Sequence, residues 1–251
     1  MPRALIIGGT GAIGYAVARR LLAAGWQVEL TGRDPLHVPQ ELAADGARFT
    51  AIDRDDSAAM LAVLGGGADL LVDCVCYTAA QAAMLLPFVS SVTSTVMISS
   101  KAVYIDANGR HANSDVPPCF EGPIAEEQPT MRPNGALYNS REGYGSNKVA
   151  AEEVLLNSGY PVTVLRPSKV HGVWSRRPRE WVFVKRILDK RPVLVLAERG
   201  AGVDHPQRRG ECRGAGRARR SASWAPNSQL RRPGRAECAG DLAGHRWPPR
   251  P

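Results

Sequence analysis

The stretch Arg3–Leu21, RALIIGGTGAIGYAVARRL, decides the fold. Its apolar start, Arg3–Gly8, predicts a buried strand, and the residues after the glycines carry apolar side chains at helical spacing over Ala12–Ala24, up to a stop at Gly25. A strand, a glycine-rich turn and a helix in this order begin a βαβ unit of the type that binds a dinucleotide.

The glycines of this turn have the spacing that a phosphate-binding loop requires. Positions 9, 11 and 14 satisfy GxGxxG, and positions 8, 11 and 14 satisfy GxxGxxG. One glycine permits the tight turn, one lets the backbone approach a pyrophosphate, and one allows close packing of helix on strand, while free N–H groups at the helix start meet the anion. We therefore expect the cofactor to contact the turn residues, which are Gly8, Gly9, Thr10, Gly11, Ala12, Ile13 and Gly14.

Short apolar runs alternate with longer helical patterns as far as residue 166, which is typical of a buried parallel sheet. The fold class predicted is α/β, a Rossmann-type doubly wound parallel sheet with helices on both faces and an incomplete substrate lobe. The predicted strands are Arg3–Gly8, Gln27–Thr31, Arg48–Ile52, Asp69–Val75, Thr93–Ser99 and Pro161–Arg166. The predicted helices are Ala12–Ala24, Asp56–Leu64, Ala79–Val89, Glu142–Leu156 and Arg179–Asp189.

The end of the second predicted strand bears on the choice of cofactor. NAD-binding proteins usually place an acid there for the ribose hydroxyls, but this strand ends in Leu30-Thr31-Gly32-Arg33. Arg33 suits a 2′-phosphate, so NADP(H) is favoured over NAD(H). The alternative is a surface ion pair of Arg33 with Asp34 or Asp45.

Asp53 follows the third predicted strand and has two interpretations from the residues alone. It either hydrogen-bonds the adenine of a dinucleotide or caps the helix that begins near Asp56.

A serine, a tyrosine and a lysine form the candidate catalytic set. Tyr144 and Lys148 are four residues apart, so they share one face of a helix, and an ammonium beside a phenol lowers the pKa of that phenol. Ser100 follows the fifth predicted strand, at the sheet edge where ligands of open α/β sheets bind. A hydroxyl there suits a substrate oxygen whose proton the tyrosine transfers.

Four motifs occur in one order over residues 1–197: GGTGAIG, ISSKAVY, YGSNKVAAE and LRPSKVHG. In these the sequence resembles the short-chain dehydrogenase/reductase superfamily, in its extended or atypical branch of NAD-dependent epimerases and dehydratases. The resemblance implies that Ser100 is the catalytic hydroxyl and Tyr144 the acid/base. It implies that Lys148 lowers the pKa of Tyr144 and binds the nicotinamide ribose.

The same resemblance assigns further cofactor contacts. It favours adenine as the partner of Asp53. Cys76 and Tyr77 stand where the family usually has small residues that line the cofactor. Pro167 and Val170, together with His171 in place of the family's tyrosine, would border the nicotinamide and the substrate.

The chain is 44% hydrophobic and 22% charged, an ordinary globular composition. No apolar run is long enough to cross a membrane or to serve as a signal peptide, so we expect a cytoplasmic protein. Five scattered cysteines without a CxxC pair predict no metal site. Cys74 and Cys76 have strand spacing, which predicts that both thiols lie on one face as small buried hydrophobes.

The last fifth of the chain differs in composition. Residues 201–251 hold 11 arginines, no lysine and 4 acids, which is +7 of the total charge of +8. We predict three parts: a dinucleotide-binding domain with the catalytic set over 1–175, a remnant of the substrate lobe over 176–200, and a disordered tail over 201–251. A frame-shifted coding region is our hypothesis for the tail, and an RNA-binding arm is the disfavoured alternative.

The function expected is an NAD(P)-dependent epimerase, dehydratase or reductase that acts on a carbonyl or secondary alcohol, for example in a nucleotide sugar. The partners expected are a small-molecule substrate and, by resemblance, a second copy in a homodimer. The alternative is an NAD(P)-binding sensor or RNA-associated protein without turnover, and a truncated, inactive product is a third interpretation.

Overall fold

A computed structural model describes residues 1–120, 122–172, 174–175, 178 and 180–193, and the backbone of 206–208. The tail predicted over 201–251 therefore lies outside the described residues except for that short strand. The same holds for 194–200 and for most of 176–179, so the predicted boundary near 175 and the disorder of the tail stay predictions.

Six parallel strands form the main sheet, in the order β3-β2-β1-β4-β5-β6. They are β1 (Arg3–Ile7), β2 (Gln27–Gly32), β3 (Arg48–Ala51), β4 (Ala68–Asp73), β5 (Val92–Ile98) and β6 (Val162–Leu165). The strand order reverses between β1 and β4, which makes the crevice at their carboxyl ends the expected ligand site. The predicted doubly wound parallel sheet is confirmed.

Helices cover both faces of the sheet, as predicted. They are α1 (Ala12–Ala23), α2 (Gln40–Ala44), α3 (Ser57–Leu64), α4 (Ala79–Ala83), α5 (Leu86–Val89) and α6 (Arg141–Leu156). A further helix, α7 (Trp181–Leu188), has no buried residue and packs in neither core. One apolar core packs α1 and α2 on one face through residues such as Ala18 and Leu42. The other packs α3 to α6 on the opposite face through residues such as Met60 and Leu155.

The helix predicted over Ala79–Val89 is in fact two short helices, α4 and α5. Pro87 explains the break, because proline has no N–H to donate to the carbonyl of Ala83 and its ring collides with that carbonyl in a continuous helix.

Several short elements were not predicted from the sequence. Helix α2 and a 3-10 turn, Pro35–His37, fill the connection between β2 and β3. Strand β7 (Lys169–His171) pairs in parallel with β8 (Pro206–Arg208) in a separate two-stranded sheet. Both strands have only three residues, too few for periodicity to reveal them.

The prediction that Cys74 and Cys76 share a face is wrong. Cys74 packs against the core of α1, whereas Cys76 is fully buried in the core of α3 to α6, on the other face of the sheet. Strand β4 ends at Asp73, so the two-residue alternation of a strand does not extend to these thiols.

Candidate functional site

The turn between β1 and α1 depends on glycine for physical reasons. Gly8 has a φ of +74°, and its N–H and that of Gly9 donate to the carbonyl of Thr31 at 3.1 Å. A Cβ on Gly14 would lie 2.7 Å from the carbonyl oxygen of Gly8, so only glycine lets the helix approach the turn so closely. The backbone at this turn is thus built for the approach of a ligand.

The start of α1 offers its backbone donors to that approach. Gly11 precedes the helix without a side-chain cap, and the first turn contains no acidic residue. The N–H groups of Ala12 and Ile13 therefore have no protein acceptor among the described residues. Free donors at a helix N-terminus favour an anion such as a pyrophosphate.

Arg33 lies just beyond β2, where the sequence suggested a 2′-phosphate contact. Its side chain is exposed and forms no ion pair with any described residue. Asp34 instead accepts the N–H of Leu36 at 2.8 Å and pairs with His37, so the surface pair considered for Arg33 does not form.

Asp53 is at the carboxyl end of β3, and it is not the cap of the next helix. Asp56 caps α3, because its carboxylate accepts the N–H groups of Ala58 and Ala59 at 3.0 Å. Asp53 is exposed, and its carboxylate accepts one hydrogen bond, from the N–H of Asp55. The capping interpretation of Asp53 is therefore wrong, and its carboxylate is accessible to a ligand.

A cleft of about 350 Å³ opens at the carboxyl ends of the central strands. It is lined by residues that follow β1, β4, β5 and β6 and by α6: Ile13, Cys74, Tyr77, Ile98, Ser99, Ser100, Tyr144, Lys148, Pro167, Ser168, Lys169, Val170 and Ser175. All three residues of the predicted catalytic set are among them. Of the predicted cofactor contacts, Ile13, Pro167 and Val170 also line this cleft.

Ser100 is positioned by a turn that directly follows β5. Its Oγ accepts the N–H of Ala102 at 3.2 Å and so caps the 3-10 turn Lys101–Val103. The hydroxyl proton is not used in that bond, which leaves Ser100 a donor for an oxygen in the cleft.

The close packing of α6 brings Tyr144 to the cleft. A Cβ on Gly145 would lie 2.6 Å from the carbonyl oxygen of Ala102 and 2.5 Å from Sδ of Met131, so glycine next to the tyrosine lets the helix touch the segment after Ser100. Ser140 begins the helix by accepting the N–H of Gly143 at 2.9 Å.

The Lys148 side chain crosses from α6 to the sheet. It is 2% exposed, and Nζ donates to the carbonyl oxygens of Cys76 at 2.7 Å and Ile98 at 2.9 Å. Burial lowers the pKa of this ammonium, and the charge fields of Cys76 and Asp73 oppose that effect. Lys148 thus spans the ends of β4 and β5 directly below the cleft.

A buried polar network that the sequence did not reveal lies behind the cleft. Glu152, on α6 and 2% exposed, accepts hydrogen bonds from the Ser99 hydroxyl and the Arg166 guanidinium. Arg166 also donates to the phenol oxygen of Tyr104 at 3.2 Å. Proximity to the Glu152 carboxylate raises the pKa of Arg166. The network joins α6 to the ends of β5 and β6.

A second buried pair supports the segment that follows β4. Arg54 lies 3.1 Å from the carboxylate of Asp73, whose side chain is 0% exposed. The same guanidinium donates to the carbonyl oxygens of Val75 and Gln81 at 3.0 Å. It therefore fixes the segment that supplies the Cys76 carbonyl to Lys148.

Of the two residues that the resemblance places beside the cofactor, Tyr77 lines the cleft and Cys76 does not. The Cys76 side chain is 0% exposed and packs in the core, where burial raises the pKa of its thiol to about 12. Cys74 and Tyr77 line the cleft instead. The cofactor contact predicted for Cys76 thus has no basis in the position of its thiol. His171 is on β7, and its neighbour Val170 is the one that lines the cleft.

No cluster of side chains suited to a metal ion occurs among the described residues. Within the same part of the chain, no helix is long and apolar enough to cross a membrane.

The strand order, the glycine turn and the cleft define a dinucleotide-binding protein of the Rossmann type. A family model, NAD dependent epimerase/dehydratase family, matches residues 4–209. The chain belongs to this family, whose members are enzymes that use a nicotinamide cofactor. No curated protein matches the chain significantly.

Solved structures of similar fold include three proteins that were determined with bound NAD or a bound sugar nucleotide. WbmH of Bordetella bronchiseptica, in complex with NAD⁺, is 17% identical, with 87% of this chain and 72% of that chain covered and a TM-score of 0.63. UDP-glucose 4-epimerase of Thermotoga maritima, with UDP-glucose, is 16% identical, with 85% and 72% covered and a TM-score of 0.62. dTDP-glucose 4,6-dehydratase of Bacillus anthracis, with NAD, is 16% identical, with 84% and 69% covered and a TM-score of 0.62.

Proposed function

We propose that the protein is an NAD(P)-dependent epimerase, dehydratase or reductase that acts on a carbonyl or secondary alcohol of a nucleotide sugar. The observation that carries this proposal is the convergence of Ser100, Tyr144 and Lys148 on one cleft at the carboxyl ends of the strands. The family supports the reaction class. The substrate class is supported by two structures of similar fold, a dTDP-glucose 4,6-dehydratase and a UDP-glucose 4-epimerase with bound UDP-glucose.

The chain's own residues fit a dinucleotide. Gly14 and Gly8 leave room where a side chain would block the turn, and Ala12 and Ile13 present free N–H donors to a pyrophosphate. Asp53 has an exposed carboxylate for the adenine amine. Tyr144 and Lys148 would border the nicotinamide ribose, as the resemblance implies. When bound, the cofactor supplies a hydride acceptor or donor to the substrate carbon.

The protein residues transfer the proton of the reacting group and bind its oxygen. In the oxidative direction the Tyr144 phenolate accepts the proton of the substrate hydroxyl, and in the reductive direction the Tyr144 phenol returns it to the carbonyl oxygen. Ser100 donates a hydrogen bond to the same oxygen and so fixes its position. The Lys148 ammonium provides a positive charge in the wall of the same cleft.

We infer that NADP(H) is preferred over NAD(H). The exposed guanidinium of Arg33 has no ion pair within the described residues, and β2 ends at Gly32 without an acid for the ribose hydroxyls. A 2′-phosphate would pair with Arg33 in the bidentate way that guanidinium groups favour.

Titration of the purified chain with NADPH and NADH tests both the fold-based function and the cofactor preference. We expect the chain to bind NADPH more tightly than NADH. Arg33→Met should weaken the affinity for NADPH and leave the affinity for NADH unchanged. Arg20→Met, an exposed arginine in the last turn of α1, is the matched control. Binding of neither nucleotide would refute the proposed function, and equal binding of the two would refute the preference.

A panel of nucleotide sugars then tests the reaction class. An epimerase regenerates its cofactor in each turnover, whereas a reductase consumes it, so product analysis together with nicotinamide absorbance separates these outcomes. If a chain that binds nucleotide converts no nucleotide sugar, the substrate class is refuted. A homodimer and a cytoplasmic location stay predictions. Light scattering, which measures the molar mass in solution, tests the homodimer.

A further inference from the structure

Tyr77 stands where the resemblance places a small residue beside the cofactor, and its large side chain lines the cleft. It follows β4, and its N–H donates to Oε1 of Gln81 at 2.8 Å. Thr78 caps α4 next to it by accepting the N–H of Gln81 at 3.2 Å. These two bonds fix the backbone of Tyr77, so the direction of its side chain is set by the start of α4.

The Tyr77 ring lies against the charged group of the site. Nζ of Lys148 is 4.4 Å from the ring centroid, within the range of a cation–π contact. The ring also stacks on Tyr138, with centroids 5.7 Å apart and planes at 27°. Its centroid is 6.5 Å from that of Tyr144. Tyr77 is therefore the side chain that touches Lys148 and both neighbouring phenols.

A buried ammonium needs such a partner. It has three N–H donors, and two of those on Lys148 are taken by the carbonyls of Cys76 and Ile98. Burial penalises its charge, and the face of an aromatic ring attracts a cation most strongly where water is excluded. The ring thus stabilises the charged form on a side where the backbone offers no further acceptor.

The surroundings of the Tyr77 phenol favour its neutral form. Burial raises the pKa of Tyr77, and the charge fields of Tyr144 and Asp73 raise it further. Tyr77 accordingly stays neutral at physiological pH, and its ring keeps the negative face that a cation requires.

We propose that Tyr77 is a positioning residue of this site, whose ring face holds the Lys148 ammonium at the floor of the cleft, with Tyr138 bracing the ring. The stabilisation of the charge depends only on the geometry described above. The consequence for cofactor binding rests on the proposed function of Lys148.

Progressive fluorination of the ring tests the proposal without removing any group that the fold needs. Fluorine withdraws charge from the ring face at almost constant shape, so it weakens a cation–π contact in steps. The series is Tyr77→Phe followed by its mono-, di- and trifluorinated forms, made by incorporation of the unnatural amino acids. Phe88, which is packed in the apolar core, receives the same fluorinated forms as the matched control.

The first measurement is the equilibrium constant for unfolding in urea. We expect it to rise stepwise with fluorination at position 77, by about 3- to 30-fold over the series, which is the range expected of a desolvated cation–π contact. The Phe88 series should show no such trend. A flat series at position 77, or an equal slope at Phe88, would overturn the proposal.

The second measurement is the dissociation constant for NADPH across the series at position 77. Progressive weakening supports a positioning role, since a merely structural ring would leave nucleotide affinity unchanged in the folded protein. Unchanged affinity in a chain that binds NADPH would overturn that role. If the unmodified protein binds no nucleotide, the proposed function fails, and the unfolding series alone decides whether Tyr77 holds Lys148.

Discussion

Arg166 donates to both carboxylate oxygens of Glu152, through Nε at distances of 3.2 and 3.1 Å. Arg166 directly follows β6, and Glu152 lies on α6, eight positions after Tyr144, so this ion pair fixes the catalytic helix against the sheet. The Ser99 hydroxyl donates to the same carboxylate, next to Ser100. The positions of Ser100 and Tyr144 thus depend on one buried acid.

We expect Glu152→Gln to destabilise the fold by about 1–3 kcal/mol. A neutral amide forms no ion pair with the guanidinium, so the partly buried charge of Arg166 loses its counter-charge. Urea unfolding measures the change. Glu153→Gln, the exposed neighbour on the same helix, is the control and should shift stability by less than about 0.5 kcal/mol. Equal effects of the two substitutions would contradict a role of the network in holding α6.

Removal of the Tyr144 hydroxyl should lower the rate of the reaction without weakening the binding of NADPH. Tyr144→Phe keeps the ring in the cleft but leaves no group to transfer the proton, so turnover should fall by about 100-fold or more. NADPH affinity should stay within a few-fold of the unmodified protein. Steady-state rates and nucleotide titration provide the two measurements.

Tyr160→Phe, an exposed tyrosine just before β6, is the control for Tyr144→Phe and should leave both quantities unchanged. Full activity of Tyr144→Phe would refute the acid/base assignment.

The sequence predicted the sheet and the members of the cleft more reliably than the contacts between them. Apolar runs located the six strands, and the glycine spacing located the turn, because both patterns are local. The helical spacing of Tyr144 and Lys148 placed them on one face for the same reason.

The remaining features depend on contacts between residues far apart in the chain. Glu152 and Arg166 look like ordinary surface charges in the sequence, and only the pairing of β5 with β6 brings them behind Ser99. The position of Cys76 could not be predicted either, since strand periodicity stops at Asp73. One signal was present for Tyr77, namely the resemblance, which places it where the family has a small residue beside the cofactor.

Asp106 organises the long connection between Tyr104 and α6. This connection has no helix or strand within its described residues over 106–135. The Asp106 carboxylate accepts the N–H groups of Asn108, Arg110 and Cys119 at 2.8–2.9 Å. These hydrogen bonds lower the pKa of Asp106 below its usual value of 3.8.

A lowered pKa in the folded state makes this carboxylate stabilising above its usual pKa, and the contribution is lost as the pH falls through the folded value. We therefore expect Asp106→Asn to be less stable than the unmodified protein at pH 7, with the difference shrinking below about pH 4. Unfolding curves across this range measure it. Asp45→Asn, an exposed acid after α2, is the control. A difference that does not depend on pH would contradict the assignment.

The three cysteines in the described part of the chain should differ sharply in their reactivity towards a thiol reagent. Cys119 is exposed and should react first at pH 8, whereas the Cys76 thiol, with its pKa raised to about 12 by burial, is a thiolate in only about one molecule in ten thousand at that pH. Peptide mass spectrometry assigns each label. Cys74 lines the cleft, so NADPH should slow its modification while leaving the rate at Cys119 unchanged. Rapid labelling of Cys76 in the folded protein would contradict its burial, and equal labelling of Cys74 with and without bound nucleotide would argue against the cleft as the nucleotide site.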